Sequence, residues 1–132
     1  MMLTTGLYAA LLGLLFVVLS VRALRLRRKL RIAVGDAGNP KLLRAMRVHS
    51  NFAEYIPLSL FLIYLAEAQG ANGLFIHALG VSLVVGRLSH SYGVSQLNED
   101  FRFRVVGMAL TLTPIIVASI YLLFAYASRP WT

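Results

Sequence analysis

The sequence predicts an all-α integral membrane protein, a four-transmembrane-helix bundle forming a single domain over residues 1–132. Three observations carry this expectation. The chain is 58% hydrophobic and only 14% charged, with a mean hydropathy of +0.73, whereas soluble domains run about 25% charged. Its apolar residues fall into four long segments, and a spanning helix needs about 20 mainly apolar residues. Its cations gather in the connections instead of spreading along the chain.

The first helix, about residues 2–30, opens with a charge-free stretch from Met1 to Val21. No basic residue precedes the apolar part and no A-x-A-like site follows it, so a retained helix is expected in preference to a cleaved signal. The breaker VGDAGNP, Val34 to Pro40, leads into a second helix of about residues 40–69. This helix is charge-free only from Tyr55 to Ala66, too short to span unless its polar front half also enters the membrane zone. A tight turn, QGANG, introduces the third helix, about 72–94, uncharged up to Gly86. After GVSQLNED comes the fourth, about 102–127, uncharged from Val105 to Ser128. Pro57 and Pro114 each remove one backbone donor inside a helix and bend it locally. No internal repeat supports an inverted-topology transporter.

Thirteen basic residues give a net charge of +8. Nine lie between Arg22 and Arg47, and Arg87, Arg102 and Arg104 flank the third connection, leaving Arg129 alone at the other side. The positive-inside rule then puts the first and third loops in the cytoplasm and both termini outside it. Topology and anionic lipid account for this basic stripe at about 1 kcal/mol per cation, so nucleic acid is not an expected partner. Arg27, Lys29 and Arg31 are expected to snorkel to headgroups.

Several chemistries drop out. Cysteine is absent, so a disulfide, a thiolate nucleophile or a cysteine-based metal site cannot exist, and any thiol must come with the substrate. His49, His77 and His90 have no metal-ligand spacing, so no metal is expected. Neither a Gly-rich phosphate loop nor a serine nucleophile elbow is present.

The polar front of the second helix, RVHSNFAEYIP from Arg47 to Pro57, holds the informative pattern. At 100° per residue Arg47, Asn51 and Glu54 share one stripe, with Ser50 at its edge and Arg44 one turn earlier, while His49 points away. A charge at bilayer depth costs about 2.5–3.5 kcal/mol on insertion scales, so the stripe should face protein and pair there. Physics alone leaves two readings open: a structural polar seam joining Arg47, Asn51 and Glu54, or a ligand site. Other groups converge on the same depth. Arg22, Arg25 and Arg28 end the first helix, Arg87, His90 and Tyr92 lie near the end of the third, and Arg102 and Arg104 open the fourth. An anionic ligand suits such a ring.

The pattern R-x-H-x-N-x-x-E-Y-x-P, read as Arg47, His49, Asn51, Glu54, Tyr55 and Pro57, resembles the signature of the MAPEG family, the membrane-associated proteins in eicosanoid and glutathione metabolism. The G-R-x-x-H of Gly86, Arg87 and His90, the basic first loop and the arginines opening the fourth helix fit the same family, and the size is that of its small bacterial members, resembling microsomal glutathione transferases. The resemblance implies a homotrimer with the second helix near the threefold axis and glutathione held as cosubstrate between neighbouring subunits at the cytoplasmic side. Carried over by position, Arg25, Arg47, Asn51, Glu54 and His90 would bind the tripeptide, and Arg104 would stabilise its thiolate, with Arg102 as the rival for that place. The implied reaction is transfer of glutathione to an apolar electrophile arriving from the lipid, or reduction of a lipid peroxide. Ser50 stands where some members have a second arginine, and Val105 and Met108 where some have Ser and Tyr; Tyr92 is a substitute hydroxyl with a different spacing.

Two other functions remain as alternatives: a non-catalytic lipid-binding or scaffold member of the same family, and a small multidrug transporter. The transporter would place a lone membrane-embedded acid in the first helix, where this chain has none. Glu54 lies in the second and is expected to pair with an arginine.

Overall fold

A computed structural model describes residues 3–129. The start assigned to the first helix at residue 2, and the two chain ends, lie outside those residues. Four helices follow one another: α1 (Thr4–Leu30), α2 (Pro40–Ala68), α3 (Gly73–Ser95) and α4 (Phe101–Ala127). Local chemistry sets their ends. Asn39 caps α2 by accepting from the Lys41 and Leu42 amides at 3.1 Å, with Pro40 in the first turn, where its missing donor costs nothing. Asn72 and Asp100 cap α3 and α4 in the same way, through Leu74 at 2.8 Å and Arg102 at 3.0 Å. At the end of α1, Arg31 turns into the left-handed region at φ 56° and Ile32 N–H returns to the Arg27 carbonyl at 3.0 Å.

α1, α3 and α4 are each long and apolar enough to cross a membrane. α2, at 29 residues, is longer than any of them but is not apolar enough by the same measure, because its first half carries Lys41, Arg44, Arg47 and Glu54. Outward-facing Leu14, Leu123 and Phe124 are strongly exposed, as lipid-facing side chains are. The core is built from Leu12 and Leu19 of α1, Val48, Phe52, Ile56 and Ile63 of α2, Ile76, Leu79 and Leu83 of α3 and Ala118 of α4. α2 and α3 each pack against all three other helices, so these two form the centre of the bundle.

α3 and α4 make the most extensive helix pair. Gly86 of α3 meets Gly107 of α4, Gly93 lies against Phe103 and Arg104, and a Cβ added at Gly107 would sit 2.5 Å from the His90 amide nitrogen. Small residues let the two backbones approach, the usual device for packing helices in lipid, where no hydrophobic force drives association. That contact fixes the height of His90 against the first turn of α4, which bears Arg104.

Polar contacts tie the two ends. At the end formed by the α1–α2 and α3–α4 connections, Arg22 donates to Ser95 Oγ, and Arg27 donates to the carbonyls of Ala33 at 3.3 Å and Gly35 at 2.9 Å. Arg27 therefore braces the first loop, where snorkelling to headgroups was expected; the left-handed turn after α1 folds those carbonyls back within its reach. At the opposite end the Glu67 carboxylate accepts from the first amides of α1, Thr4 at 2.6 Å and Thr5 at 2.9 Å, capping that helix from α2.

Candidate functional site

A cavity of about 530 Å³ opens at the basic end, among α2, the end of α3, the α3–α4 connection and the start of α4. Arg47, Asn51 and Glu54 line it from α2, His90 from α3 and Arg104 from α4. Arg44, Ser50 and Glu99 complete its polar wall. Helix phase explains the α2 contribution: positions 44, 47, 51 and 54 recur at three- and four-residue spacing and so form one continuous stripe.

Arg25 lies elsewhere. It belongs to a second cavity of about 860 Å³, whose floor is Val17, Val18, Val21 and Leu26 of α1 and whose other cations are Arg22, Lys29 and Lys41. Within one chain, therefore, Arg25 does not join the other five. Arg102 does not line the 530 Å³ cavity, whereas Arg104, two residues on, does. Tyr92 points away from it: the ring is 56% exposed and packs edge-on against Phe103 at 5.0 Å between centroids, so it offers no hydroxyl to the site. Its phase is the cause, since Tyr92 and His90 are two residues apart and stand on opposite sides of α3.

The expected Arg47–Glu54 pair does not form. Both side chains are exposed in the single chain, and among the described residues neither has an ion-pair partner. The polar seam is built differently, with Arg87 in the place assigned to Arg47. Arg87 is fully buried, its Nη2 donates to Asn51 Oδ1 at 2.8 Å, and its guanidinium lies over the Phe52 ring at 5.5 Å. The same Nη2 stands 3.4 Å from His90 Nδ1. A guanidinium can only donate, so Nδ1 is the acceptor and the ring proton sits on Nε2. Asn51 likewise gives its oxygen to Arg87, which frees its NH₂ to donate into the cavity. Arg87 thus orients two lining groups as donors, a task the sequence did not reveal because nothing in its spacing distinguishes a buried arginine from one at the helix end.

Glu99 was also missed. It stands in the α3–α4 connection with its side chain 5% exposed, its Oε2 accepting from Arg44 Nη1 at 2.9 Å and its Oε1 lying 3.8 Å from Arg104 Nη1. Arg44 Nη1 donates as well to the Val94 carbonyl at 2.9 Å, so this arginine pins the connection to α2. Periodicity speaks only for helical positions, and a loop carboxylate gives no such signal. On the far side of α2, His49 bonds Ser20 Oγ at 3.0 Å and stacks on Phe16, outside the cavity as its phase requires.

Three arginines, two carboxylates, an amide and a neutral imidazole thus line one cavity at the end of a membrane bundle. This defines a membrane protein with a polar cavity in which arginines outnumber carboxylates. The MAPEG family model matches residues 5–124, and the chain belongs to that family. It is 38% identical over 113 residues to the inner membrane protein YecN of Escherichia coli K12, covering 86% of this chain and 85% of that protein. YecN of Escherichia coli O6:H1 matches to the same extent.

Proposed function

We propose that this protein is an inner-membrane enzyme that binds glutathione in the 530 Å³ cavity and presents its thiolate to apolar electrophiles or lipid peroxides. The observation that carries the proposal is the convergence of Arg47, Asn51, Glu54, His90 and Arg104 on that one cavity. Glutathione carries two carboxylates and one ammonium. Arginine forks suit the carboxylates, the exposed Glu54 carboxylate suits the ammonium, and the Asn51 and His90 donors suit peptide carbonyls. A free cysteine thiol ionises near about pH 8.5, and a half-exposed guanidinium at Arg104 favours its thiolate at neutral pH. Addition of that thiolate to an electrophilic carbon makes a thioether; with a hydroperoxide, two thiols give disulfide, alcohol and water.

A single chain leaves Arg47 and Glu54 exposed on a helix buried at membrane depth, which is costly against lipid. A homotrimer that covers the α2 face removes that cost and would bring Arg25 to the site from a neighbour. In this reading the basic end faces the cytoplasm, following the charge asymmetry.

The test is glutathione binding to the detergent-purified protein with titration of thiolate absorbance. Arg47→Ala is expected to weaken binding about tenfold or more. Arg104→Ala is expected to raise the pH at which the bound thiol ionises, with a smaller effect on binding. Wild type without saturable binding overturns the proposal.

One observation favours a second reading, lipid binding without catalysis: the 860 Å³ cavity joins an apolar floor to four cations, the chemistry of an anionic amphiphile. Anionic phospholipid retained through purification, with no glutathione turnover, would select it. For a transporter, the absent Arg47–Glu54 pair withdraws one objection, but α1 still has no acidic residue.

A further inference from the structure

We infer that Glu99 is a built-in counter-ion that sets how strongly the cavity holds an anion at Arg104. This deepens the glutathione reading and rests on it. Two features of the geometry point there. The carboxylate is divided unequally: Oε2 is fully engaged by Arg44 at 2.9 Å, while Oε1 is buried, lies 3.8 Å from Arg104 Nη1 and has no hydrogen bond among the described residues. The side chain is also almost fully enclosed, at 5% exposed, whereas that of Arg104, which lines the cavity, is 51% exposed.

Burial matters because attraction between two charges about 4 Å apart is several-fold larger at a protein surface than in bulk water. Arg104 is accordingly restrained by Glu99 without being hydrogen-bonded to it. An incoming anion can take the Arg104 donors outright, and Glu99 does not drift free when that happens, since Arg44 retains it and the Val94 carbonyl retains Arg44. The acid lowers the affinity of Arg104 for a negative sulfur and keeps its guanidinium at the mouth when no ligand is bound. Glu99 is thus a positioning and specificity-determining residue that acts through Arg104. It favours a ligand that brings its own cation along with its anions over a simple dianion, because the cavity is only partly electropositive.

The experiment compares binding of glutathione and of glutathione sulfonate, which carries a fixed negative charge on sulfur, to the full-length detergent-purified protein by calorimetry at low ionic strength. Glu99→Gln keeps the shape and the Arg44 hydrogen bond but removes the charge. It is expected to raise the sulfonate-to-glutathione affinity ratio about tenfold, about the effect of 1.4 kcal/mol, while Glu99→Asp leaves the ratio near that of wild type. If Glu99 only holds the connection in place, both ligands weaken together in Glu99→Gln and the ratio does not move, which overturns the inference and leaves the glutathione reading standing. If wild type binds neither tripeptide, the reading falls and the inference with it.

Discussion

Arg87 is a guanidinium with no surface exposure and no carboxylate partner among the described residues, held by Asn51 and covered by Phe52. Its Nε and Nη1 have no hydrogen-bond partner there, so a large desolvation cost is only partly offset. The neutral Asn51 is therefore a choice that costs stability and supplies a donor to the cavity. Asn51→Asp would give Arg87 a true counter-ion. We expect this variant to unfold no lower in temperature than wild type, yet to bind glutathione at least tenfold more weakly, since an acceptor replaces the amide donor; thermal unfolding and calorimetry on the same preparation check both halves. Arg87→Ala should instead lose about 2–4 kcal/mol, leaving Asn51 unpaired beside a cavity.

The close approach of α3 to α4 turns helix packing into site geometry. Gly107 faces the His90 backbone, so Gly107→Ala must push the helices apart, at about 1–3 kcal/mol. The same shift separates His90 from Arg104, and glutathione affinity should fall with thermal stability. Gly6→Ala in α1, where no described residue comes within 4 Å of the added Cβ, should change neither. At the opposite end, Glu67→Gln weakens the cap on α1 and should cost about 0.5–2 kcal/mol without altering binding, which thermal unfolding with and without glutathione would show. The helices themselves could be read from hydropathy and breakers, and helix phase correctly grouped Arg47, Asn51 and Glu54 on one stripe. What phase could not supply was pairing. Arg47 and Arg87 look alike in sequence, and only the packing of α3 on α2 decides which of them reaches Asn51. Glu99 escaped altogether, because a loop residue acquires its meaning from how the chain closes over α2.

For the molecule as a whole, Arg47 and Glu54 are exposed in one chain, and the proposed homotrimer would cover them. A second consequence is separation of Arg25 from the remaining site residues, which a neighbour's α1 would repair. Native mass spectrometry of the detergent-solubilised protein should accordingly find trimers, and Arg25→Ala chains co-assembled with Arg47→Ala chains should recover some glutathione binding that each variant alone lacks. Recovery requires that one site draw on two chains; its absence would place Arg25 outside the site. The measurement that bears hardest on the whole interpretation is simpler. Calorimetric titration of glutathione into the purified wild-type protein should give saturable binding that falls about tenfold or more in Arg47→Ala. No saturable binding, or binding indifferent to Arg47, would contradict it.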